Sequence, residues 1–182
     1  MELKGERILP ASRAVTWELL NDSEVLRQCV PGCESMTASG PNDYDVAMTA
    51  AIGPVKARFK GRLWLRDIEA PQRYRLVFDG QSPQAGFARG EARVELEEPS
   101  PRETKLSYTA SAQVGGRLAQ VGARLIDAAA GATAERFFES FAAQLSARTA
   151  PEGAHAATAA APAGGSGFWS WLMSFLRHLR SR

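Results

Sequence analysis

Histidine is absent from the first 150 residues of this 182-residue chain, and both histidines, His155 and His178, lie near the C-terminus. Imidazole is the general base of Ser-His-Asp and Cys-His enzymes and the commonest side-chain ligand of transition metals. Its absence excludes those two catalytic schemes and most transition-metal sites from this part of the chain. We therefore predict no catalytic residues, no metal site and no enzymatic activity.

Cysteine is equally scarce. The chain has two cysteines, Cys29 and Cys33, separated by Val-Pro-Gly. Redox pairs and zinc knuckles place two residues between their cysteines. The three-residue spacing fits neither kind of site, and no second cysteine cluster exists to complete a metal site.

Long apolar runs are also missing. A membrane-spanning helix needs about 20 consecutive apolar residues, and no stretch of the chain approaches that length. Residues 1–13 are charged throughout, unlike a signal peptide, so we expect the bulk of the protein to be cytoplasmic. Without three arginines near the C-terminus, the 22 basic residues fall to 19 against 20 acidic ones. This balance makes nucleic acid an unexpected partner.

What the chain does contain, from residue 44 to residue 115, is a hydrophobic period of two, which is typical of β-strands. In residues 55–66 the even positions are charged or aromatic and the odd positions are apolar or glycine. Residues 2–9 predict an earlier strand, and Ser12 and Asp22 are candidate caps of two short helices. The predicted order is a strand, two short helices, about six strands and a long helix. Short connections between the strands predict an antiparallel meander packed against that helix.

The long helix is predicted over residues 116–147, because apolar residues recur there at steps of three or four. The middle of this segment, residues 128–132, is small, whereas Phe137, Phe138 and Phe141 cluster after it. The predicted inner face of the sheet is small as well. Its members are Ala57, Gly61, Ala88, Gly90, Ala92, Ala110 and Ala112.

Small residues on both sides allow two interpretations. Because protein interiors are densely packed, either the sheet and the helix approach closely or a space remains for a ligand. We favour an apolar cavity with Tyr44 and Tyr108 as polar groups; the alternative is that alanine and glycine only permit bending and close approach. The predicted pocket residues are Trp17, Tyr44, Val46, Met48, Phe59, Leu63, Tyr74, Phe78, Phe87, Tyr108, Leu118, Val121, Leu125, Phe137 and Phe141.

Several short motifs carry a family resemblance over roughly residues 1–147. The motifs Cys29-Val30-Pro31-Gly32-Cys33-Glu34, Gly53-Pro54-Val55, Phe59-Lys60-Gly61-Arg62, Gly115-Gly116-Arg117-Leu118 and Phe137-Phe138 resemble the CoxG family of carbon monoxide dehydrogenase subunits, which belongs to the START-like (SRPBCC) superfamily. The resemblance implies an α+β helix-grip fold, in which a bent antiparallel sheet wraps a long C-terminal helix around an internal apolar cavity.

The same resemblance implies an accessory protein of a molybdenum hydroxylase of the CO dehydrogenase type, concerned with membrane attachment and electron delivery to respiratory quinone. No covalent cofactor is expected. A noncovalently bound quinone, menaquinone or ubiquinone, would satisfy the independent expectation of an apolar guest with a small polar end. Two rival functions stay open: a purely structural adaptor that recruits the hydroxylase to the membrane, and an enzyme acting on an apolar substrate in the pocket.

The C-terminal part differs from the domain predicted over residues 1–148. Residues 149–167 are rich in Ala, Pro and Gly and predict a flexible linker. Residues 168–182 place tryptophan and arginine on a short amphipathic helix, which is typical of a segment lying at the membrane surface. Docking on a partner protein or over the pocket are the alternatives. The predicted membrane-contacting residues are Phe168, Trp169, Trp171, Leu172, Phe175, Leu176, Arg177, Leu179 and Arg180. We expect peripheral association with the inner face of the cell membrane.

Two surface features have competing interpretations. A basic stripe beside Trp64 is either a solvated sheet face or a docking surface for acidic lipid or an enzyme partner. The loop at residues 80–86 is either an ordinary hairpin or a movable lip of the pocket. The stripe consists of Lys56, Arg58, Lys60, Arg62 and Arg66.

Overall fold

The computed structural model describes residues 1–150. The predicted C-terminal helix, and all but two residues of the predicted linker, lie outside the described residues. Within residues 1–150 the elements are β1 (Glu2–Leu9), α1 (Arg13–Leu20), α2 (Ser23–Cys29), β2 (Cys33–Gly40), β3 (Asp43–Ile52), β4 (Val55–Glu69), β5 (Arg73–Ser82), β6 (Gly86–Ser100), β7 (Glu103–Gly115), a 3-10 helix (Gly116–Val121) and α3 (Ala123–Thr149).

The strands form one seven-stranded sheet in the order β1-β7-β6-β5-β4-β3-β2. Strands β2 to β7 follow each other as an antiparallel meander, and β1 closes the far edge by pairing antiparallel with β7. The predicted meander and the α+β architecture are confirmed. Hydrophobic periodicity does not locate β2, because only Cys33 and Met36 of that edge strand are even partly buried.

The two short helices begin at the predicted caps. The Ser12 side chain accepts a hydrogen bond from the Val15 amide at 3.4 Å. Asp22 accepts hydrogen bonds from the amides of Glu24 and Val25 at 2.9 and 3.2 Å. Each cap satisfies amides of a first turn that have no partner inside the helix. These contacts fix where α1 and α2 start, between the edge strands β1 and β2.

The long helix is shorter at its N-terminus than predicted. Residues 116–121 form a 3-10 helix, Gly122 adopts a φ of +93°, and α3 begins only at Ala123. A positive φ belongs to the left-handed region, which interrupts an α-helix and favours glycine. The apolar residues before Gly122 therefore do not share a helical face with those after it, and the single helix predicted over residues 116–147 is wrong in this respect.

The buried residues form two separate core clusters. The first core cluster joins α1, α2 and the C-terminal half of α3 to the sheet; its fully buried members include Leu9, Leu19, Leu106, Phe141 and Leu145. The second core cluster joins the β3–β4 hairpin to the 3-10 helix; its buried members are Val55, Ala57, Phe59, Ala85 and Leu118. The inner face of the sheet between the two clusters belongs to neither.

Candidate functional site

Between the two core clusters, the sheet and α3 do not seal against each other. Val46, Phe78, Ala92 and Ala110 lie on the inner face of the sheet, yet all four are only half-buried. Ala130 of α3 is half-buried too. These five residues border what we call the interior gap. Because side chains at the centre of a sealed helix–sheet interface would be buried, their accessibility indicates unfilled space between the layers.

Gly131, the next residue of α3, supports the same conclusion. A Cβ atom built on this glycine would meet no atom within 4 Å. The middle of the helix thus stands clear of its surroundings, whereas its C-terminal half packs tightly. There Phe137 stacks on Phe141 with ring centroids 5.6 Å apart, and Phe141 has no exposed surface.

The side chains that face inward from β3 to β7 carry no charge. They are apolar residues, glycines, three tyrosines, Ser82 and Thr104. Ser82 and Thr104 already have polar partners, since their hydroxyls lie 3.3 Å from Gln84 and 2.8 Å from the Ala11 carbonyl. The nearest inward-pointing cation is Arg7 of β1, which forms an ion pair with Glu135 of α3. The interior gap is therefore an apolar, uncharged environment.

The three inward-facing tyrosines differ in their surroundings. Tyr74 is only 6% exposed, and its ring makes an edge contact with Trp17 at 5.6 Å. Burial, with a smaller contribution from the neighbouring Tyr44 phenol, raises the pKa of Tyr74 above its ordinary value, so it remains a hydrogen-bond donor. Tyr108 instead points toward β1, where its hydroxyl would lie 2.7 Å from a Cβ built on Gly5. No hydrogen bond joins any of the three hydroxyls to another residue within 1–150.

The structure brings most of the predicted pocket residues to the inner side of the sheet, but divides them among three places. The first core cluster contains or contacts Trp17, Tyr44, Leu63, Tyr74, Tyr108, Phe137 and Phe141. The second core cluster contains or contacts Met48, Phe59, Leu118 and Val121. Val46 and Phe78 belong to neither cluster and border the interior gap directly. A ligand in the gap would meet these last two residues first.

Two predicted pocket residues require correction. Phe87 lies on the outer face of the sheet, where its ring covers Gly115 and the Arg89 guanidinium sits 5.2 Å above it. Its position in β6 explains this, because inward residues of β6 have even numbers. Leu125 is 48% exposed, and it lies beside Gly53 at the tip of the β3–β4 hairpin. The break at Gly122 rotates Leu125 away from the apolar face predicted for a continuous helix.

The Cys-Val-Pro-Gly-Cys-Glu motif has a structural role. Gly32 adopts a φ of +75°, and a Cβ there would lie 2.2 Å from the Thr49 carbonyl oxygen. The Gly32 carbonyl accepts the Thr49 amide at 2.9 Å. Glu34 accepts hydrogen bonds from the Thr49 hydroxyl and the Arg58 guanidinium, both at 2.7 Å, and these bonds lower the pKa of Glu34. Burial raises the pKa of the Cys29 thiol, as expected for an unreactive core cysteine. The motif therefore ties β2 to β3 and β4.

The outer face of the sheet carries a feature that the sequence did not predict. A groove of about 750 Å³ lies over β4 and β5, and its lining includes Arg58, Lys60, Arg62, Trp64, Asp79 and Gln81. This groove contains much of the predicted basic stripe. Three members of the stripe are ion-paired, Arg58 with Glu34, Arg62 with Asp45 and Arg66 with Asp43. Lys56 and Lys60 have no ion-pair partner within residues 1–150.

The loop predicted either as a hairpin or as a movable lip is a short, anchored hairpin. β5 ends at Ser82 and β6 begins at Gly86. Ala85 between them is completely buried, and its carbonyl accepts the Leu118 amide at 2.7 Å. A buried residue with a backbone bond to the 3-10 helix opposes opening of this loop, so the hairpin interpretation is favoured.

Two further observations concern residues 1–150 only. None of the helices there combines the length and hydropathy needed to cross a membrane. No group of three or more His, Cys, Asp or Glu side chains in that part of the chain is arranged to hold a metal ion.

Comparison with known proteins agrees with the fold. A conserved protein from Geobacillus kaustophilus is 27% identical, with a TM-score of 0.77, covering 81% of this chain and 96% of its own. A START superfamily protein from Mycobacterium smegmatis has 14% identity and a TM-score of 0.63, covering 81% and 99%. The Zhui aromatase/cyclase from Streptomyces sp. R1128 has 14% identity and a TM-score of 0.62, covering 84% and 98%. No curated protein matches the chain.

The last two likenesses show the fold alone, and they confirm the predicted START-like helix-grip architecture. The family is decided by sequence. A model of the CoxG family of carbon monoxide dehydrogenase subunits matches residues 5–146, and the chain therefore belongs to that family.

Proposed function

We propose that this protein is a noncatalytic accessory protein of a molybdenum hydroxylase of the CO dehydrogenase type. In this proposal the interior gap holds an isoprenoid quinone or a similar lipid, and the C-terminal segment attaches the protein to the inner face of the cell membrane. The protein would thereby link its partner enzyme to the respiratory quinone pool. The family description supports the partner, since it refers to carbon monoxide dehydrogenase.

The observation that carries the ligand-binding part is the division of the core into two clusters with half-buried apolar residues between them. Val46 and Phe78 are large apolar side chains that would normally be buried on the inner face of a sheet. Leaving them accessible forgoes hydrophobic stabilisation of about 25 cal/mol for each Å² of apolar surface left in water. A ligand with a long hydrocarbon part would recover that stabilisation.

The ligand is tested by organic extraction of the purified full-length protein followed by mass spectrometry. We expect a reproducible isoprenoid quinone. The variant Ala110→Leu adds bulk to the border of the interior gap and should lose the ligand. Ser111→Leu is the matched control, because Ser111 is the next residue of β7 but is exposed on the outer face. An empty extract from the wild-type protein, or equal ligand content in both variants, would refute binding in the interior gap.

The structural adaptor is the second candidate, and the outer groove beside Trp64 favours it. A half-buried aromatic residue flanked by Arg58, Lys60 and Arg62 is a suitable contact for an acidic protein surface. Lys60→Glu reverses a charge that no ion pair engages within residues 1–150. A weaker complex with the hydroxylase after this substitution, together with an empty extract from the wild-type protein, would favour the adaptor over the carrier.

The enzyme alternative has less support within residues 1–150. An enzyme acting on an apolar substrate in the interior gap would need acid–base groups there, and the inward-facing side chains of β3 to β7 include no carboxylate. A substrate in the gap would meet tyrosine hydroxyls as its principal polar contacts.

A further inference from the structure

The geometry points to a head-group subsite on the first-cluster side of the interior gap, where Tyr74, flanked by Tyr44, donates a hydrogen bond to a neutral carbonyl-type acceptor. This inference rests on the proposed ligand-binding function and specifies the end of the gap that holds the polar group. It also predicts a preference of the site for uncharged head groups over carboxylates.

Tyr74 is the residue on which the inference depends. Its side chain is 94% buried, being 6% exposed, and it points inward from β5 on the same face as Phe78. Its hydroxyl has no hydrogen-bond partner among residues 1–150, although buried polar groups nearly always have one. An unpaired buried hydroxyl costs about 1 to 3 kcal/mol. A bound acceptor at this position would remove that cost.

Tyr44 extends the subsite on the neighbouring side. It directly precedes Val46 on the inner face of β3, so it lies where the first core cluster meets the interior gap. Its hydroxyl also lacks a partner within the described part of the chain. Tyr108, the third inward tyrosine, is directed to the β1 edge beside Gly5 and stacks near Phe138. Two phenols therefore serve the subsite, and the third provides a control.

The charge distribution determines which head groups fit. No cation faces the gap from β3 to β7, and Arg7 at the β1 edge is engaged by Glu135. The half-buried and buried residues of α3 that face the sheet are Ile126, Ala129, Ala130, Gly131, Ala134, Phe137, Phe138, Phe141, Ala142, Gln144 and Leu145, none of which is charged. An ionised carboxylate transferred to such a site would lose hydration without gaining a counter-ion, whereas a ketone or quinone oxygen would not.

The experiment measures binding of a naphthoquinone with a two-isoprene tail to the full-length protein by isothermal titration calorimetry. Tyr74→Phe should weaken binding roughly three- to tenfold, as expected for loss of one hydrogen bond, and Tyr44→Phe should weaken it less. Tyr108→Phe should leave binding unchanged. Removing an unpartnered hydroxyl should not unfold the protein, and an unchanged thermal unfolding midpoint checks this.

A competition series tests the charge preference. Methyl oleate, oleate and 1-octadecene have similar hydrocarbon chains and differ in their head groups. In competition with the naphthoquinone above the pKa of oleic acid, methyl oleate should bind most tightly in the wild-type protein, and oleate most weakly. Tyr74→Phe should reduce the advantage of methyl oleate over 1-octadecene.

The outcomes separate the two proposals. Equal naphthoquinone affinity in Tyr74→Phe and the wild-type protein would overturn the head-group subsite while leaving the carrier function intact. Oleate binding as tightly as methyl oleate would overturn the neutral-head preference. An equal loss in Tyr108→Phe and Tyr74→Phe would show that the position assigned to the head group is wrong. No binding of any apolar probe to the wild-type protein would instead refute the proposed function itself.

Discussion

Replacement of Gly131 by alanine tests the open space beside α3. Gly131 lies in the interior of the 27-residue helix Ala123–Thr149, where a glycine is unfavourable. Alanine is favoured over glycine in a helix interior by about 0.8 to 1.0 kcal/mol. A Cβ at this position would meet no atom within 4 Å, so no steric cost opposes this gain. We therefore expect Gly131→Ala to raise the free energy of unfolding by about 1 kcal/mol.

Gly90 provides the matched control, because it is the small residue on the opposite layer. A Cβ on Gly90 would lie 2.1 Å from the Ser111 carbonyl oxygen and 2.8 Å from the Ala112 Cα. Both atoms belong to the backbone, which cannot rotate away as a side chain can. Gly90→Ala should lower the free energy of unfolding by about 1 to 3 kcal/mol, the usual cost of overpacking.

Urea denaturation monitored by circular dichroism measures both changes. A gain of about 1 kcal/mol should also raise the unfolding midpoint by about 2 to 4 °C in a protein of this size. Destabilisation by Gly131→Ala of more than about 1 kcal/mol would refute the reasoning, since propensity alone predicts the opposite sign. It would mean that the helix packs closely at Gly131 and that the space beside it is absent.

Three other predictions follow from particular residues. Because burial raises the pKa of Tyr74, the unfolded state loses its phenolic proton first, so the free energy of unfolding should fall as the pH rises above about 10, and less steeply in Tyr74→Phe by denaturation at each pH. Gly32→Ala should destabilise the protein more than Gly53→Ala in the same assay: both glycines have a positive φ, but only at Gly32 would a Cβ meet the Thr49 carbonyl. Deleting residues 168–182 should abolish sedimentation with anionic liposomes, and unchanged sedimentation would contradict the membrane role.

Much of the fold could be predicted because its signals are local. In β4, inward residues from Val55 to Leu65 alternate with charged or aromatic ones, and the structure places the two sets on opposite faces. Ser12 and Asp22 cap the helices as predicted. The break at Gly122 was not predictable in the same way. Apolar spacing continues across it, and a single glycine is tolerated inside a helix; only the backbone conformation reveals the positive φ.

The site was less predictable because its properties depend on contacts between distant strands. The sequence shows that Tyr44, Tyr74 and Tyr108 share the inner face, but not which hydroxyl has room for a partner. Tyr108 is directed toward β1 by its pairing with Gly5, a residue more than 100 positions away. Phe87 could have been placed correctly from the even numbering of inward residues in β6. The groove beside Trp64 depends on how β4 and β5 curve, which no local pattern encodes.

The small residues of the inner face have two different physical explanations. A Cβ on Gly61 would lie 2.0 Å from the Asp79 carbonyl oxygen, and Gly90 meets the backbone of β7 in the same way. These glycines are required by the close approach of neighbouring strands in a bent sheet, so they would be needed whether or not a ligand binds. They support the interpretation that small residues permit bending, and they are not evidence for a cavity.

The alanines behave differently, because they already have a Cβ and the backbone accommodates it. Ala92 and Ala110 face each other across β6 and β7, and both remain half-buried. A larger apolar residue at either position would bury more surface if the only requirement were stability. Their smallness is therefore not explained by sheet curvature, whereas a guest lying against them would explain it. Substituting the alanines should alter ligand capacity with the fold retained, whereas substituting Gly61 or Gly90 should damage the fold itself.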